Sequence, residues 1–243
     1  MYKILLGFII LLSGCVTTTD YDSMTILTPG NPELYSVATI QRMSDDKSPV
    51  HIYIEGDGYA FTNRGLPTDD PTPQSSFMRD MTMADQSPNV AYIARPCQFF
   101  MDDKCTPTNW TDGRFSRVMV DSVANAVKTI AGNRPVILIG YSGGAMISGL
   151  IIQNYDDIDV KQWITIAGVL NHADWTNYFG DAPLTLSLNM NTLPHVYQTH
   201  YVAKNDKTVP NSLSRKWVSQ NKLITVPNAT HNLIPIIKLD FKD

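Results

Sequence analysis

Residues 140–144 read Gly-Tyr-Ser-Gly-Gly, a composition suited to presenting a serine for nucleophilic chemistry. They follow the β-branched run 136–139, which predicts a strand, and precede the apolar run 145–153, which predicts a helix. A strand, the pattern G-x-S-x-G and a helix together form a sharp turn that exposes the serine hydroxyl. The neighbours must be small because strand and helix approach closely there. Ser142 is therefore the candidate nucleophile.

A serine hydroxyl is a weak nucleophile at neutral pH, so it needs a base, and the base needs a carboxylate to orient it. Proteins that use this turn carry the acid and then the base after the serine, in loops that follow strands. Of the five histidines, His231 alone lies in such a loop downstream of the other candidates. Asp206, after the predicted strand 196–202, is the preferred acid, with Asp174 as the alternative. These residues predict a Ser142–Asp206–His231 triad.

Acyl chemistry on a serine also needs backbone N–H groups that bind the negatively charged oxygen of the intermediate. One is expected from Gly143, directly after the nucleophile. The second is expected from the glycine-rich loop 55–59, which follows the predicted strand 50–54. Asp57 is the best donor in that loop and Gly58 the next, because the flanking glycines allow the peptide to turn toward the substrate. A simple glycine turn is the alternative interpretation.

At these residues the chain resembles the α/β-hydrolase superfamily, and more narrowly a group of poorly characterised bacterial α/β-hydrolase lipoproteins. The turn around Ser142 is shared across the superfamily, and other blocks are more specific. These blocks are Glu55-Gly56-Asp57-Gly58, Asp70-Pro71-Thr72-Pro73, Arg95-Pro96-Cys97-Gln98, Arg114-Phe115 and Asn171-His172. The resemblance implies the hydrolase fold and a Ser-Asp-His triad, and it implies no substrate for the narrower group.

The hydrophobic pattern supports the same fold class, a mostly parallel central sheet flanked by helices. Strands are predicted at 35–40, 50–54, 90–94, 136–139, 163–167, 196–202 and 223–226. Helices are predicted at 76–86, 115–131, 145–153 and 212–220. The first strand is expected to pair antiparallel at an edge. The stretch 168–194 has no clear period and predicts an irregular lid or cap near the site, and the stretch 59–75 is expected to cross its rim.

The amino-terminal residues resemble a bacterial lipoprotein signal. Residues 1–14 combine a positive start with an apolar stretch too short to span a bilayer, and Cys15 stands at the expected lipidation position. An ordinary signal peptide with a coincidental cysteine is the alternative. Residues 15–32 are predicted to be a tether and residues 33–243 the hydrolase domain. The expected location is the cell envelope, with the lipid in the outer membrane and the domain facing the periplasm.

Composition limits the other partners. The remaining cysteines, Cys97 and Cys105, are an even pair in an oxidising compartment, which predicts a disulfide and no metal site. The chain has 19 basic and 23 acidic residues with no basic cluster, so a nucleic-acid partner is not expected. No cofactor is expected either, because the triad performs its chemistry without one. The sequence does not predict the oligomeric state.

The motifs together predict a serine hydrolase that cleaves a carboxylic ester or related acyl bond through an acyl-enzyme at Ser142. The substrate is expected to be a small-molecule or lipid-like acyl compound. Peptidase, thioesterase and acyltransferase activities share the same acyl-enzyme and remain open alternatives. A non-catalytic envelope lipoprotein that uses the fold for binding is the alternative from a different class.

Overall fold

A computed structural model describes residues 24–242, which contain an eight-stranded sheet. Its strands are β1 (Thr25–Leu27), β2 (Val37–Met43), β3 (Val50–Ile54), β4 (Asn89–Ile93), β5 (Val136–Tyr141), β6 (Val160–Ile166), β7 (Tyr197–Ala203) and β8 (Leu223–Val226). The order across the sheet is β1-β2-β4-β3-β5-β6-β7-β8. The seven strands predicted from the sequence are all present, with ends shifted by a few residues.

Strands β3 to β8 are parallel, and β2 pairs antiparallel with β4, as expected for the first predicted strand, although β2 is not the edge strand of the sheet. The carboxyl ends of the parallel strands therefore meet at one edge of the sheet. The sequence prediction missed β1, which pairs antiparallel with the outer side of β2. Part of the predicted tether, residues 15–32, is thus a strand, and the sheet begins before residue 33. A three-residue exposed edge strand carries too few residues to show a period.

Within residues 24–242, five α-helices accompany the sheet. They are α1 (Phe77–Ala84), α2 (Arg117–Ala131), α3 (Gly143–Asn154), α4 (His172–Phe179) and α5 (Asn211–Trp217). Helices α2 and α3 pack with Val136 and Leu138 of β5, whereas α1 packs with Ile137 and Ile139. Alternate side chains of a strand point to opposite faces, so both faces of the sheet are covered. The fold class predicted from the sequence is confirmed.

The prediction that residues 168–194 are irregular is wrong for residues 172–179, which form the helix α4. The side chain of Asn171 caps the start of this helix by accepting a hydrogen bond from the Asp174 N–H at 2.9 Å. Gly180 ends it with a positive φ of 71°, a conformation that glycine adopts without strain. The sequence analysis missed α4 because its polar residues leave little apolar periodicity. The capping residues Asn171 and Gly180 were a usable signal for the two ends of the helix.

The predicted disulfide between Cys97 and Cys105 is confirmed. It closes the loop that follows β4, at the same edge of the sheet as the other carboxyl ends. The signal peptide and the lipidation site Cys15 lie outside the described residues and stay predictions. Each helix within residues 24–242 is too short or too polar to cross a bilayer.

Candidate active site

Ser142 occupies a strained turn between β5 and α3. Its φ and ψ are 50° and −120°, a conformation that side-chain-bearing residues rarely adopt. The glycines on both sides are required for packing. A Cβ on Gly140 would lie 2.5 Å from the carbonyl oxygen of Gly144, and a Cβ on Gly144 would overlap the carbonyl oxygen of Ile54. The turn predicted around Ser142 is therefore present, with the glycines in the roles that its geometry needs.

The structure brings Ser142, His231 and Asp206 together from the ends of β5, β8 and β7. His231 Nε2 lies 3.0 Å from Ser142 Oγ, and His231 Nδ1 lies 2.9 Å from Asp206 Oδ2. The other carboxylate oxygen of Asp206 accepts the N–H groups of Thr208 and Val209, at 2.8 and 2.7 Å. An acceptor-only carboxylate favours the tautomer with hydrogen on Nδ1, which leaves Nε2 free to accept the serine proton.

Tyr141 holds the loop that carries the histidine. Its hydroxyl donates to the carbonyl oxygen of His231 at 2.8 Å, and its ring stacks on the imidazole with centroids 5.2 Å apart. One residue thus links the nucleophile turn to the base. Sequence reasoning did not assign this role, because the contact joins the end of a strand to a loop far away in the chain.

The alternative acid, Asp174, lies elsewhere. It sits in the first turn of α4, where its carboxylate oxygens accept hydrogen bonds from Lys216 Nζ at 2.5 Å and Trp217 Nε1 at 2.7 Å. These contacts tie α4 to α5. The structure brings Asp206, and not Asp174, to His231.

The residues predicted to bind an oxyanion lie beside Ser142. Gly143 is the first residue of α3, where N–H groups have no partner within the helix. The N–H groups of Asp57 and Gly58 have no acceptor within residues 24–242. A Cβ on Gly143 would overlap the carboxylate of Asp57, so the two loops are in direct contact. These N–H groups are available to a negatively charged oxygen.

Two arginines bind the carboxylate of Asp57. Arg95 Nη1 lies 2.9 Å from one oxygen and Arg114 Nη1 lies 3.2 Å from the other. Arg95 also donates to the carbonyl oxygen of Arg114. Burial lowers the pKa of Arg95, and the charge of Asp57 opposes that change. Because the arginines compensate the charge of Asp57, this side chain can lie next to a developing oxyanion with little repulsion.

The loop is also fixed from the sheet side by Glu55 and Gln98. Glu55 is buried, and its two oxygens accept the Gly56 N–H and the Tyr92 hydroxyl, each at 2.9 Å. Burial raises the pKa of Glu55, although both hydrogen bonds favour the ionised form. Gln98 Nε2 donates to the Gly56 carbonyl oxygen at 3.0 Å, and Gln98 is adjacent to the disulfide residue Cys97. The disulfide loop therefore supports the candidate oxyanion site.

A cavity of about 570 Å³ opens in front of Ser142 and His231. Its wall is mostly apolar, and Asp57 and Arg114 are charged groups in it. The segment 59–75 contributes residues to the wall, so it passes over the rim as expected, and the predicted lid segment contributes Val169 and Trp175. The apolar and aromatic lining side chains include Tyr59, Phe61, Phe77, Met78, Tyr141 and Trp175.

No group of three or more His, Cys, Asp or Glu side chains within residues 24–242 is arranged to hold a metal ion. The polar groups that line the cavity include Ser142 and His231 of the triad, the loop that carries Asp57, and Arg114. Sequence reasoning missed the roles of Arg95 and Arg114. Both stand in blocks that the family resemblance had marked, which was the one available signal.

No protein-family model and no curated protein sequence matches this chain. Solved structures do. An α/β serine hydrolase homologue from Coxiella burnetii is 15% identical, with a TM-score of 0.53, and the alignment covers 86% of this chain and 88% of the other. A serine hydrolase from the polyaromatic hydrocarbon-degrading bacterium Cycloclasticus zankles is 9% identical, with a TM-score of 0.57 and coverages of 86% and 91%.

A third similar structure is an α/β serine hydrolase without lid from Xanthomonas campestris. It is 12% identical, with a TM-score of 0.53, and the alignment covers 87% of each chain. Identities this low establish the fold and leave the narrower resemblance to lipoproteins a prediction. The chain therefore has the α/β-hydrolase fold, as its motifs indicated.

Proposed function

We propose that the protein is a serine hydrolase that cleaves a carboxylic ester or related acyl bond through an acyl-enzyme at Ser142. The observation that carries the proposal is the pair of contacts made by His231, 3.0 Å from Ser142 Oγ and 2.9 Å from Asp206 Oδ2. A nucleophile, a base and an orienting acid in this arrangement are the parts that acyl transfer needs. The serine hydrolases that share the fold support the same reaction class.

In the first half-reaction His231 Nε2 takes the proton of Ser142 Oγ while the oxygen attacks the carbonyl carbon. The carbonyl oxygen becomes negative and is bound by the N–H of Gly143 and by that of Asp57 or Gly58. The carbon–oxygen bond to the alcohol then breaks, and the imidazolium returns its proton to the leaving oxygen. An ester between Ser142 and the acyl group remains.

Water completes the cycle in the second half-reaction. His231 removes a proton from the water while the water oxygen attacks the acyl-enzyme. His231 then gives this proton to Ser142 Oγ as the acyl group leaves. Asp206 stabilises the imidazolium in both halves, and the N–H groups of Thr208 and Val209 hold its carboxylate in place. If another alcohol, a thiol or an amine takes the place of water or of the leaving alcohol, the same machinery gives acyltransferase, thioesterase or peptidase chemistry.

A fluorophosphonate probe tests the proposal directly. Ser142 Oγ is expected to attack phosphorus, release fluoride and retain the phosphonate, which peptide mass spectrometry locates. His231→Asn should lose most of this labelling because no base remains to take the serine proton. His195→Asn, at an exposed position, is the matched control and should label normally. Absence of labelling in the folded wild-type protein supports a non-catalytic binding role instead, and labelling at another serine contradicts the assignment of Ser142 as the nucleophile.

The contact between Gly143 and Asp57 makes a second prediction. In Gly143→Ala the new methyl group collides with the carboxylate of Asp57 and displaces the candidate oxyanion loop. We expect kcat for ester hydrolysis to fall about 10²- to 10³-fold, the usual effect of losing one oxyanion donor. Gly30→Ala is the control, since a Cβ there meets open space. Equal kcat values for the two variants would contradict the assignment of Gly143.

We also propose that Cys15 carries the lipid anchor and that residues 1–14 are removed. The support is the sequence pattern before Cys15. A bacterial host that expresses the full chain and is fed an alkyne analogue of palmitate should incorporate the label and retain the protein in its membrane fraction. Cys15→Ser should lose both properties. Equal labelling of wild-type protein and Cys15→Ser would rule out this anchor.

A further inference from the structure

Arg114 is a buried cation in the wall of the catalytic cavity. Its side chain is 6% exposed. Arg114 Nε donates to the carbonyl oxygen of Thr111 at 2.6 Å, and Nη1 donates to Asp57 at 3.2 Å. A guanidinium has five N–H donors. Nη2 has no acceptor within residues 24–242, so donors of this side chain remain for a ligand.

Two aromatic rings of the cavity wall flank this guanidinium. Its central carbon lies 5.4 Å from the ring centroid of Phe61 and 5.8 Å from that of Trp175. Both rings also line the cavity. Aromatic neighbours hold a planar guanidinium in place and remove water from its faces. The edge of the guanidinium is then left for hydrogen bonding.

The acidic groups around this cation leave it only partly compensated. Asp57 is shared between Arg114 and the buried Arg95, so one carboxylate faces two guanidinium groups. Asp112, a second carboxylate that interacts electrostatically with Arg114, accepts its hydrogen bonds from the loop at 185–186. Glu55, in the cavity wall, accepts its hydrogen bonds from its own loop and from the sheet. Arg114 therefore keeps donors and part of its charge for an anion close to the oxyanion loop.

We propose that Arg114 binds a carboxylate of the substrate, so that the preferred substrate is an ester that carries a carboxylate near the scissile bond. This inference rests on the proposed hydrolase function and adds a substrate class to it. A carboxylate accepts two parallel hydrogen bonds from the edge of a guanidinium, and such charge-assisted bonds are short and strong. Because Arg114 is shielded from solvent, water competes weakly with the substrate for these donors.

Matched pairs of substrates test the inference. On the acyl side, the p-nitrophenyl monoesters of succinic and glutaric acid are compared with p-nitrophenyl butyrate and valerate. On the alcohol side, 3-acetoxybenzoate is compared with phenyl acetate. Spontaneous hydrolysis is measured with the Ser142→Ala variant and subtracted. In at least one pair kcat/KM is expected to be higher for the charged ester by about 30-fold or more, and the pair identifies the side that meets Arg114.

Variants at residue 114 show whether the preference for the charged ester depends on Arg114. Arg114→Gln is expected to reduce the ratio of charged to neutral kcat/KM to near one, mostly through KM of the charged ester. Arg114→Lys should keep part of the ratio, because it retains the charge without the planar donor edge. The substitution also removes the hydrogen bond from Arg114 to Asp57. If Asp57 then becomes less well positioned, kcat falls equally for the charged and the neutral ester, so the ratio of their kcat/KM values does not change. A ratio that is unchanged in Arg114→Gln would overturn the inference.

A binding measurement on wild-type protein keeps the test independent of folding of the variants. Succinate is expected to slow fluorophosphonate labelling of Ser142 in proportion to its concentration, and butyramide, which has no charge, is expected to have no such effect. High salt should weaken the protection because the interaction is ionic. Efficient turnover of neutral esters with no carboxylate preference in any pair contradicts only this inference. Absence of both turnover and labelling contradicts the proposed function itself.

Discussion

Replacing Ser142 by alanine is expected to lower kcat for ester hydrolysis about 10⁶-fold, to a rate close to that of the oxyanion site and binding alone. The variant removes Oγ, the atom 3.0 Å from His231 Nε2, and keeps the Cβ and the backbone conformation. Measurement of single-turnover rates with a p-nitrophenyl ester checks the result. Turnover within tenfold of the wild-type rate would mean that Ser142 is not the nucleophile.

A second substitution at the same position separates chemistry from stability. Ser142→Gly also removes Oγ, but glycine adopts a φ of 50° with little strain. We expect both variants to be inactive, and we expect Ser142→Gly to be more stable toward unfolding than Ser142→Ala by about 1 kcal/mol. Urea denaturation gives this difference. Equal stabilities would show that the surrounding contacts, and not the backbone of residue 142, carry the strain.

Asp206→Asn is expected to lower kcat about 10⁴-fold. The N–H groups of Thr208 and Val209 require an oxygen acceptor, so the carbonyl oxygen of the new amide stays with them and its NH₂ group faces His231 Nδ1. A donor there forces the hydrogen of the imidazole onto Nε2, where it cannot accept the serine proton. The loop keeps its structure, and the base has the wrong tautomer.

Asp174→Asn is the matched control for this variant. Asp174 is also an aspartate near the carboxyl edge, and it bonds Lys216 and Trp217 rather than the histidine. We expect its kcat to stay close to the wild-type value, with a small loss of stability from the weakened link between α4 and α5. A large loss of kcat in Asp174→Asn together with normal activity in Asp206→Asn would reverse the assignment of the acid.

The triad could be predicted from the sequence because its positions follow from chain order. Ser142, Asp206 and His231 each lie in the turn or loop that follows a strand, and the pattern of apolar runs located those strands. Parallel strands bring their carboxyl ends to one edge, so three residues far apart in the chain had to meet there. Sequence order also excluded four of the five histidines as the base.

The contacts that support the triad and the oxyanion loop could not be predicted from the sequence. They depend on the directions of side chains in loops, and loops have no hydrophobic periodicity from which such directions follow. Arg95 and Arg114 converge on Asp57 from two different loops, and Tyr141 reaches the carbonyl of His231. Composition and spacing give no information on such pairings. The helix α4 was missed for a related reason, since polar residues and a tryptophan conceal its buried face.

The register of β1 has a consequence for how an anchored protein would meet its substrate. Thr25, the first residue of β1, pairs with Thr39 of β2, and Thr39 pairs with Ile93, the last residue of β4. Thr25 therefore lies at the carboxyl edge of the sheet, the same edge as the cavity. A chain from Cys15 to Thr25 reaches at most about 35 Å when extended. A lipid at Cys15 would tether the domain at the side that carries the cavity, so that acyl compounds at the membrane surface lie within reach of Ser142.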